Sequence, residues 1–250
     1  VELLADQAFI GARVAFAQVH RAHHHAGRAE AALQAVTFLE CGLHRVHGAV
    51  GSGHACVVQP GGGADRRQLL GDDKPEIAAG EAFFAASNTN IIIKGTHTWI
   101  VSGGKKSNVF YSPDKGMTWK TYATPIVQGE AMTGIFSAAF YDEMTGFAVG
   151  GNYEKPEQNF GNKISTADGG KTWKRIAEHE GFGYGSCVQF FPGSKGKELL
   201  TVGASGVYYS ADFGENWQKI ADYKDLFTIR FVNRKTVIAA GNNKIMRFQF

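Results

Sequence analysis

One eight-residue pattern, Ser/Thr-x-Asp-x-Gly-x-x-Trp, occurs three times in the later part of the chain. The copies span Ser112–Trp119, Thr166–Trp173 and Ser210–Trp217. Their first residues lie 54 and 44 residues apart, which is close to the roughly 40 to 50 residues that one four-stranded propeller blade occupies. Three copies at that period predict an all-β fold built from successive propeller blades.

Each octamer contains the residue types of a rigid hairpin tip. Its Asp carboxylate accepts hydrogen bonds from backbone N–H groups of its own turn, its Gly supplies a positive φ, and its Ser or Thr hydroxyl ties the turn from the other side. The Trp begins the returning strand and buries its ring between neighbouring blades. These structural positions are Ser112, Asp114, Gly116, Trp119, Thr166, Asp168, Gly170, Trp173, Ser210, Asp212, Gly214 and Trp217. Because such tips lie on blade peripheries, they indicate a fold and do not argue for catalysis.

Strand-like runs rich in β-branched and aromatic residues flank each octamer in the same order. The predicted strands are 83–87, 98–102, 108–112 and 119–122 in the first blade, 135–141, 147–150, 163–166 and 173–176 in the second, 187–191, 199–203, 207–210 and 217–220 in the third, and 227–231, 236–240 and 244–250 in the fourth. The prediction is a partial β-propeller of about four blades, the C-terminal part of a larger one. Its open blade edges would favour self-association.

The composition changes abruptly near residue 73, which predicts two regions of different origin. Residues 1–73 contain six Arg and no Lys, whereas residues 74–250 contain all sixteen Lys, all ten Asn and all four Trp. We expect one or two helices over Leu3–His47 and a flexible linker over Gly48–Gly71, so this region is helical or poorly ordered. Our hypothesis is that residues 1–73 are a fusion, a mistaken frame or an assembly artefact.

Charge and cysteine usage exclude several function classes. A formal net charge of +3, with 20% charged residues, is too weak and dispersed to indicate a nucleic-acid partner. No apolar run reaches the roughly 18 residues that a membrane span requires, so membrane insertion is not expected. The three cysteines show no CxxC spacing, which predicts neither a disulfide framework nor a zinc knuckle.

No cofactor or metal is expected from the remaining motifs. The string Gly51-Ser-Gly53-His-Ala-Cys56 lacks the third Gly of a dinucleotide fingerprint and a following βαβ unit, so a linker explains it better. His20, His23 and His24 have the spacing of ligands on one helix face. A solvated His-rich stretch explains them better than a metal site does.

The octamers, together with Gly80–Asn88, Ser186–Gln189 and Phe227–Phe231, resemble the Asp-box (BNR, sialidase-like repeat) propellers of Bacteroidetes-type bacteria. Such proteins are commonly labelled oxidoreductase or photosystem II assembly factor-like, and the resemblance covers about residues 76–250. It implies an extracytoplasmic location, periplasmic or secreted, although no signal peptide is recognisable. The oxidoreductase label finds no matching chemistry in these residues.

Two function classes remain open. A sialidase needs three arginines for the substrate carboxylate, a Tyr–Glu nucleophile pair and an acid/base residue. The arginines of the propeller region are Arg175, Arg230, Arg234 and Arg247, and no catalytic residue can be assigned. The favoured prediction is a non-catalytic scaffold that binds a protein or a glycan. The alternatives are part of a sialidase-type glycoside hydrolase and, by family label only, an oxidoreductase.

Polar residues on or beside the predicted inner strands are candidates for a ligand-binding channel mouth. They are Glu81, Ser87, Tyr141, Gln189 and Arg230. Arg230 is the first candidate, because it is a lone cation in an otherwise apolar strand and suits an anionic ligand. The competing interpretation is that these side chains simply face water in the channel.

Overall fold

The computed structural model describes residues 55–57, 67–69, 75–84 and 88–250. Within these ranges the chain forms strands and turns and contains no helix, so the all-β prediction is confirmed. The strands are β1 Ala55–Val57, β2 Arg67–Leu69, β3 Glu81–Ala82, β4 Ile91–Lys94, β5 His97–Val101, β6 Gly103–Gly104, β7 Asn108–Ser112, β8 Lys120–Ala123, β9 Thr133–Phe140, β10 Gly146–Asn152, β11 Lys163–Thr166, β12 Lys174–Arg175, β13 Gly185–Phe190, β14 Leu199–Gly203, β15 Gly206–Ser210, β16 Gln218–Ala221, β17 Leu226–Asn233, β18 Thr236–Gly241 and β19 Lys244–Gln249.

Four antiparallel sheets form the blades of a propeller. Their strand orders are β4-β5-β7-β8, β9-β10-β11-β12, β13-β14-β15-β16 and β17-β18-β19, and the second sheet continues beyond β9 through β6 and β3. The first strands β4, β9, β13 and β17 are neighbours in space, since β9 contacts β4 and β13, and β13 contacts β17. They therefore line the channel, as the prediction of four blades requires.

The first strand of the first blade is not the predicted run 83–87. It is β4, whose Ile91 pairs with Ile100 and whose Lys94 pairs with His97. The run Ile91–Ile93 is β-branched throughout, and Gly95, with φ +58°, makes the tight turn into β5 possible. Residues 81–82 instead pair with Gly103–Gly104, so this stretch lies beside the second blade.

Alternate residues of each strand pack against opposite neighbouring blades, as the two-residue period of a strand requires. In β10, Ala148 belongs to the core shared with Trp99 of the first blade, whereas Phe147 belongs to the core shared with Trp217 of the third. The ring centroid of Phe147 lies 5.8 Å from that of Trp217. Blades therefore associate through dry apolar layers in which the octamer Trp rings take part.

All three octamers form the predicted hairpin tip with one geometry. In each, the Ser or Thr hydroxyl donates to the Asp Oδ1 at 2.8 Å and accepts the Gly N–H at 2.7 to 3.0 Å. The Asp also accepts the N–H of the residue four positions later at 2.8 to 2.9 Å. The indoles of Trp173 and Trp217 each donate to the carbonyl of the octamer Gly at 2.9 Å. These contacts make the tip a structural staple.

Acid should loosen these tips, and Asp212 offers a direct test. Burial raises the pKa of Asp212, but hydrogen bonds from Asn216 and Ser210 outweigh it and hold that pKa below its usual 3.8. A carboxylate with a depressed folded-state pKa stabilises the fold above pH 3.8 and loses that effect as the pH falls through the folded-state value. We expect Asp212→Asn to lower the free energy of unfolding by roughly 1 to 2 kcal/mol at pH 7.

The difference between wild type and Asp212→Asn should shrink towards pH 2.5 in denaturant titrations by fluorescence. Glu215→Gln, in the same octamer, serves as the matched control because Glu215 is exposed. A constant difference across this pH range would show that the carboxylate charge contributes nothing to the tip.

The N-terminal predictions fall largely outside the described residues. The helical prediction over Leu3–His47 and the histidines within it lie entirely outside them. Within the predicted linker, β1 pairs antiparallel with β2. No helix in the described ranges is long and apolar enough to cross a bilayer.

Candidate functional site

A cavity of about 440 Å³ opens where the inner strands of all four blades converge. It lies at the C-terminal ends of β9 and β13, beside β4, with β17 contributing one side chain. The lining residues are Asn88, Thr89, Ile91, Ile92, Ile93, Lys94, Ala138, Ala139, Phe140, Tyr141, Gln189, Phe190, Phe191, Pro192, Gly193 and Arg230. Its volume is in the usual range for a ligand pocket, which runs from about 300 to 1,000 Å³.

Three of the predicted channel-mouth residues lie together in this cavity. Tyr141 follows β9, Gln189 lies near the end of β13, and Arg230 lies in the middle of β17. The blade repeat brings them together, because β9, β13 and β17 are the neighbouring inner strands of three successive blades. The tyrosine ring packs edge-on against Phe190, with 6.0 Å between ring centroids.

The other two predicted residues do not contribute to the described cavity. Glu81 is 3% exposed and is used internally. Its carboxylate accepts hydrogen bonds from the hydroxyl of Ser102, from Asn108 Nδ2 at 3.0 Å and from the backbone N–H of Ala78 at 2.8 Å. It therefore ties β3 to the first blade. Ser87 lies outside the described residues.

The guanidinium of Arg230 is held in place by the backbone around it. Nη1 donates to the carbonyl of Ile229 at 2.9 Å, and Nη2 donates to the carbonyl of Asn88 at 2.9 Å. Asn88 adopts a left-handed backbone conformation with φ 53°, which Asn tolerates better than most residues. This contact links the fourth blade to the segment that precedes the first.

Lys94 is a second cation in the cavity, and the sequence interpretation missed it. Burial lowers the pKa of Lys94, while the nearby Asp142 carboxylate opposes that shift. The predicted first inner strand, residues 83–87, ends before Lys94, whereas the strand that lines the channel is β4, Ile91–Lys94. The three isoleucines before Lys94 and the glycine after it were the available signal for a strand ending in a hairpin.

Positive charge dominates the chemistry of the site. Among the described lining residues, Lys94 and Arg230 carry charge, and neither Asp nor Glu is present. No group of His, Cys, Asp and Glu that could hold a metal ion occurs in the described part of the chain. The described lining is suited to holding an anionic group.

A polar cluster joins the β4–β5 turn, which follows Lys94, to the β9–β10 turn, which begins at Tyr141. His97 Nδ1 lies 2.6 Å from the hydroxyl of Tyr111, and His97 Nε2 lies 3.3 Å from Glu143 Oε2. The imidazole also stacks on Trp99, with 5.8 Å between ring centroids. This cluster connects the first blade to the β9–β10 turn of the second, so it supports one wall of the cavity.

The BNR/Asp-box repeat family model matches residues 208–219, which include the whole third octamer. The chain is a β-propeller, and this stretch of it matches the Asp-box repeat. The other two octamers share the same side-chain geometry, so all three are Asp boxes in structure as well as in pattern. No curated protein sequence gives a significant match to the chain.

Solved structures of several kinds are similar to the chain at low sequence identity. The GH74 enzyme of Niastella koreensis is 16% identical, with 66% of this chain and 26% of that chain covered and a TM-score of 0.44. YCF48 from Cyanidioschyzon merolae is 12% identical, with coverages of 78% and 79% and a TM-score of 0.38. The Xanthomonas campestris gluconolactonase XC5397 is 14% identical, with coverages of 74% and 64% and a TM-score of 0.46. The chain thus spans about a quarter of the Niastella enzyme.

Proposed function

We propose that this Asp-box propeller is a binding module that receives an acidic segment of a partner protein in the cavity at its channel mouth. The observation that carries the proposal is the convergence of all four blades on one cavity whose charged lining residues are Lys94 and Arg230. The mouths of β-barrels are a common location for ligand sites, and the channel mouth of a propeller is a comparable concave surface. The other side chains of the site position the ligand and do not transform it.

The lining favours a protein ligand over a glycan. Alongside the two cations it presents isoleucines, phenylalanines and Pro192, which suit a segment that alternates apolar and acidic side chains. Glycan sites depend more on carboxylate and amide hydrogen-bonding groups beside an exposed aromatic face. In this cavity the rings of Phe140 and Phe191 are buried, and the exposed ring of Tyr141 has no carboxylate beside it in the described lining.

The glycoside hydrolase alternative receives no support from this cavity. Glycosidases of the common mechanism use two carboxyl groups that flank the scissile bond, and the described lining residues provide none. Tyr141 lies in the site without a Glu beside it in the lining, so the tyrosine nucleophile arrangement of sialidases is also unsupported there.

Arg230→Gln should weaken binding of the capped tripeptide acetyl-Ile-Glu-Ile-amide by about 10- to 100-fold, since a charge-assisted hydrogen bond contributes roughly 1.5 to 3 kcal/mol. Isothermal titration calorimetry at low salt measures this change. The neutral peptide acetyl-Ile-Gln-Ile-amide should bind wild type as weakly as the acidic peptide binds Arg230→Gln.

Arg175→Gln is the matched control, because Arg175 lies on the outer strand β12 and its Nε donates to the carbonyl of Pro125 at 2.7 Å. It should leave tripeptide affinity unchanged. The proposal fails if the acidic tripeptide shows no saturable binding, or if the two arginine variants bind it equally well.

A further inference from the structure

The segment Asn88–Asn90 lies across the channel directly beneath the cavity. The Thr89 hydroxyl donates to Ser137 Oγ of the second blade at 2.6 Å, and the Thr89 carbonyl accepts the N–H of Ala138 at 2.9 Å. On the third blade, Cys187 Sγ lies 3.7 Å from Thr89 Oγ1. These contacts place Thr89 between the inner strands β9 and β13.

The same segment also reaches the other two blades. Its Asn88 carbonyl accepts Arg230 Nη2 of the fourth blade at 2.9 Å, and its Asn90 carbonyl accepts the N–H of Val101 in the first blade at 2.9 Å. Three consecutive residues therefore bond to strands of all four blades. A short segment can do this only where the blades converge, so it forms the floor of the cavity.

A second layer closes the channel on the far side of that floor. Phe84 stacks on Phe136 with 4.0 Å between ring centroids, and Tyr184 meets Phe136 edge-on at 4.8 Å. All three rings are buried. Phe136 precedes Ser137 on β9, and Tyr184 comes directly before β13. The aromatic layer thus lies towards the N-terminal ends of the inner strands, opposite the open cavity.

We infer that the cavity is a blind pit that accepts only the tip of its ligand, end-on, and that no polymer passes through the propeller. This inference rests on the proposed function and specifies the form of its ligand: an acidic chain end or a sharply turned loop of a partner protein. The Asn88–Asn90 floor and the aromatic layer of Phe84, Phe136 and Tyr184 lie in line beneath this cavity of about 440 Å³. A strand therefore cannot enter the cavity and leave along the channel axis.

Arg230 connects the floor to the ligand in this arrangement. One edge of its guanidinium bonds to the Asn88 carbonyl of the floor, while the residue also lines the cavity. An acidic side chain that reaches the bottom of the pit would therefore meet a cation whose position is already fixed. Such preorganisation reduces the entropy cost of binding.

Octaproline arms test the end-on geometry, because polyproline is extended and stiff at about 3.1 Å per residue. Two one-armed probes carry a single octaproline arm on the tripeptide Ile-Glu-Ile, one at its N-terminus and the other at its C-terminus. The two-armed probe carries an octaproline arm at both ends, and all probes are acetylated and amidated. We expect at least one one-armed probe to bind the full chain within about threefold of the bare tripeptide, and the two-armed probe to bind at least about tenfold more weakly.

The outcomes separate this inference from the proposed function. If the bare tripeptide binds in an Arg230-dependent way but the two-armed probe binds equally tightly, the ligand lies in an open groove or channel and the end-on inference is overturned while the binding function stands. If the bare tripeptide does not bind, the proposed function itself fails. If both one-armed probes bind much more weakly than the bare tripeptide, the end-on geometry is also overturned.

Discussion

Gly214→Ala is expected to lower the free energy of unfolding by about 3 kcal/mol. Gly214 has φ +83°, so a side chain there carries a left-handed strain of roughly 1 to 2 kcal/mol. A Cβ at this position would also overlap the ring of Phe147, which is fully buried between the second and third blades. Overpacking of a rigid core costs about 1 to 3 kcal/mol, and the Phe147 ring is packed within the core that the two blades share.

Gly129→Ala is the matched control for this effect. Gly129 also has a positive φ, +116°, but nothing lies within 4 Å of a Cβ built there. Gly129→Ala should therefore lower the free energy of unfolding only by the cost of the backbone strain. Chemical denaturation of both variants measures the two losses. Equal losses at the two positions would show that contact with Phe147 contributes nothing.

A double variant isolates the contact. Phe147→Leu removes ring atoms that the new methyl would meet, so Gly214→Ala should cost less in that background than in wild type. The non-additivity should be at least about 1 kcal/mol, since the two residues touch. Strict additivity would place the cost of Gly214→Ala wholly in the backbone.

The Asp boxes were predictable because their structure is local. The side-chain hydrogen bonds within the box between Ser210 and Trp217 join residues at most four positions apart, so the octamer encodes the geometry of its tip. Its period then fixes the blade length. This is why the number of blades and most strand positions followed from sequence.

The floor of the cavity was not predictable because its contacts are distant in sequence. Thr89 meets Ser137 and Cys187, which are 48 and 98 residues away, and Asn88 meets Arg230, which is 142 residues away. Nothing in the run 83–90 distinguishes an inner strand from a segment laid across the channel. Because the first inner strand was predicted at 83–87 and not at Ile91–Lys94, Glu81 was wrongly placed at the channel mouth. For the same reason Lys94 was not predicted to be there.

Lys163 is a further residue that the sequence did not indicate. It begins β11, and its ammonium is fully buried. Nζ donates to Asn159 Oδ1 at 2.8 Å and to the carbonyl of Phe182 at 3.1 Å, and it lies 4.7 Å from the centroid of the Phe182 ring. Burial lowers the pKa of Lys163 from 10.5 to about 8, although Glu178 and Glu180 act in the opposite direction.

This buried lysine should make the protein more stable as the pH rises above 8. Between the folded-state pKa of about 8 and the ordinary value of 10.5, the unfolded chain binds more protons at this residue than the folded chain does. The free energy of unfolding therefore increases with pH across that window. Because one pKa unit corresponds to about 1.4 kcal/mol, the increase from pH 7 to pH 10 is roughly 2 to 3 kcal/mol.

The measurement compares wild type with Lys163→Met by denaturant titration at intervals from pH 7 to pH 10. Methionine keeps the length of the side chain but cannot titrate, so other groups that ionise at high pH cancel in the difference. The free energy of unfolding of wild type relative to Lys163→Met should rise by roughly 2 to 3 kcal/mol over this range. The control is Lys174→Met, at an exposed lysine on β12. The difference in free energy of unfolding between wild type and this control should stay constant. A flat profile for Lys163→Met would mean that the ammonium reaches water in the folded state, and that its burial among Asn159, Asn162 and Phe182 is transient.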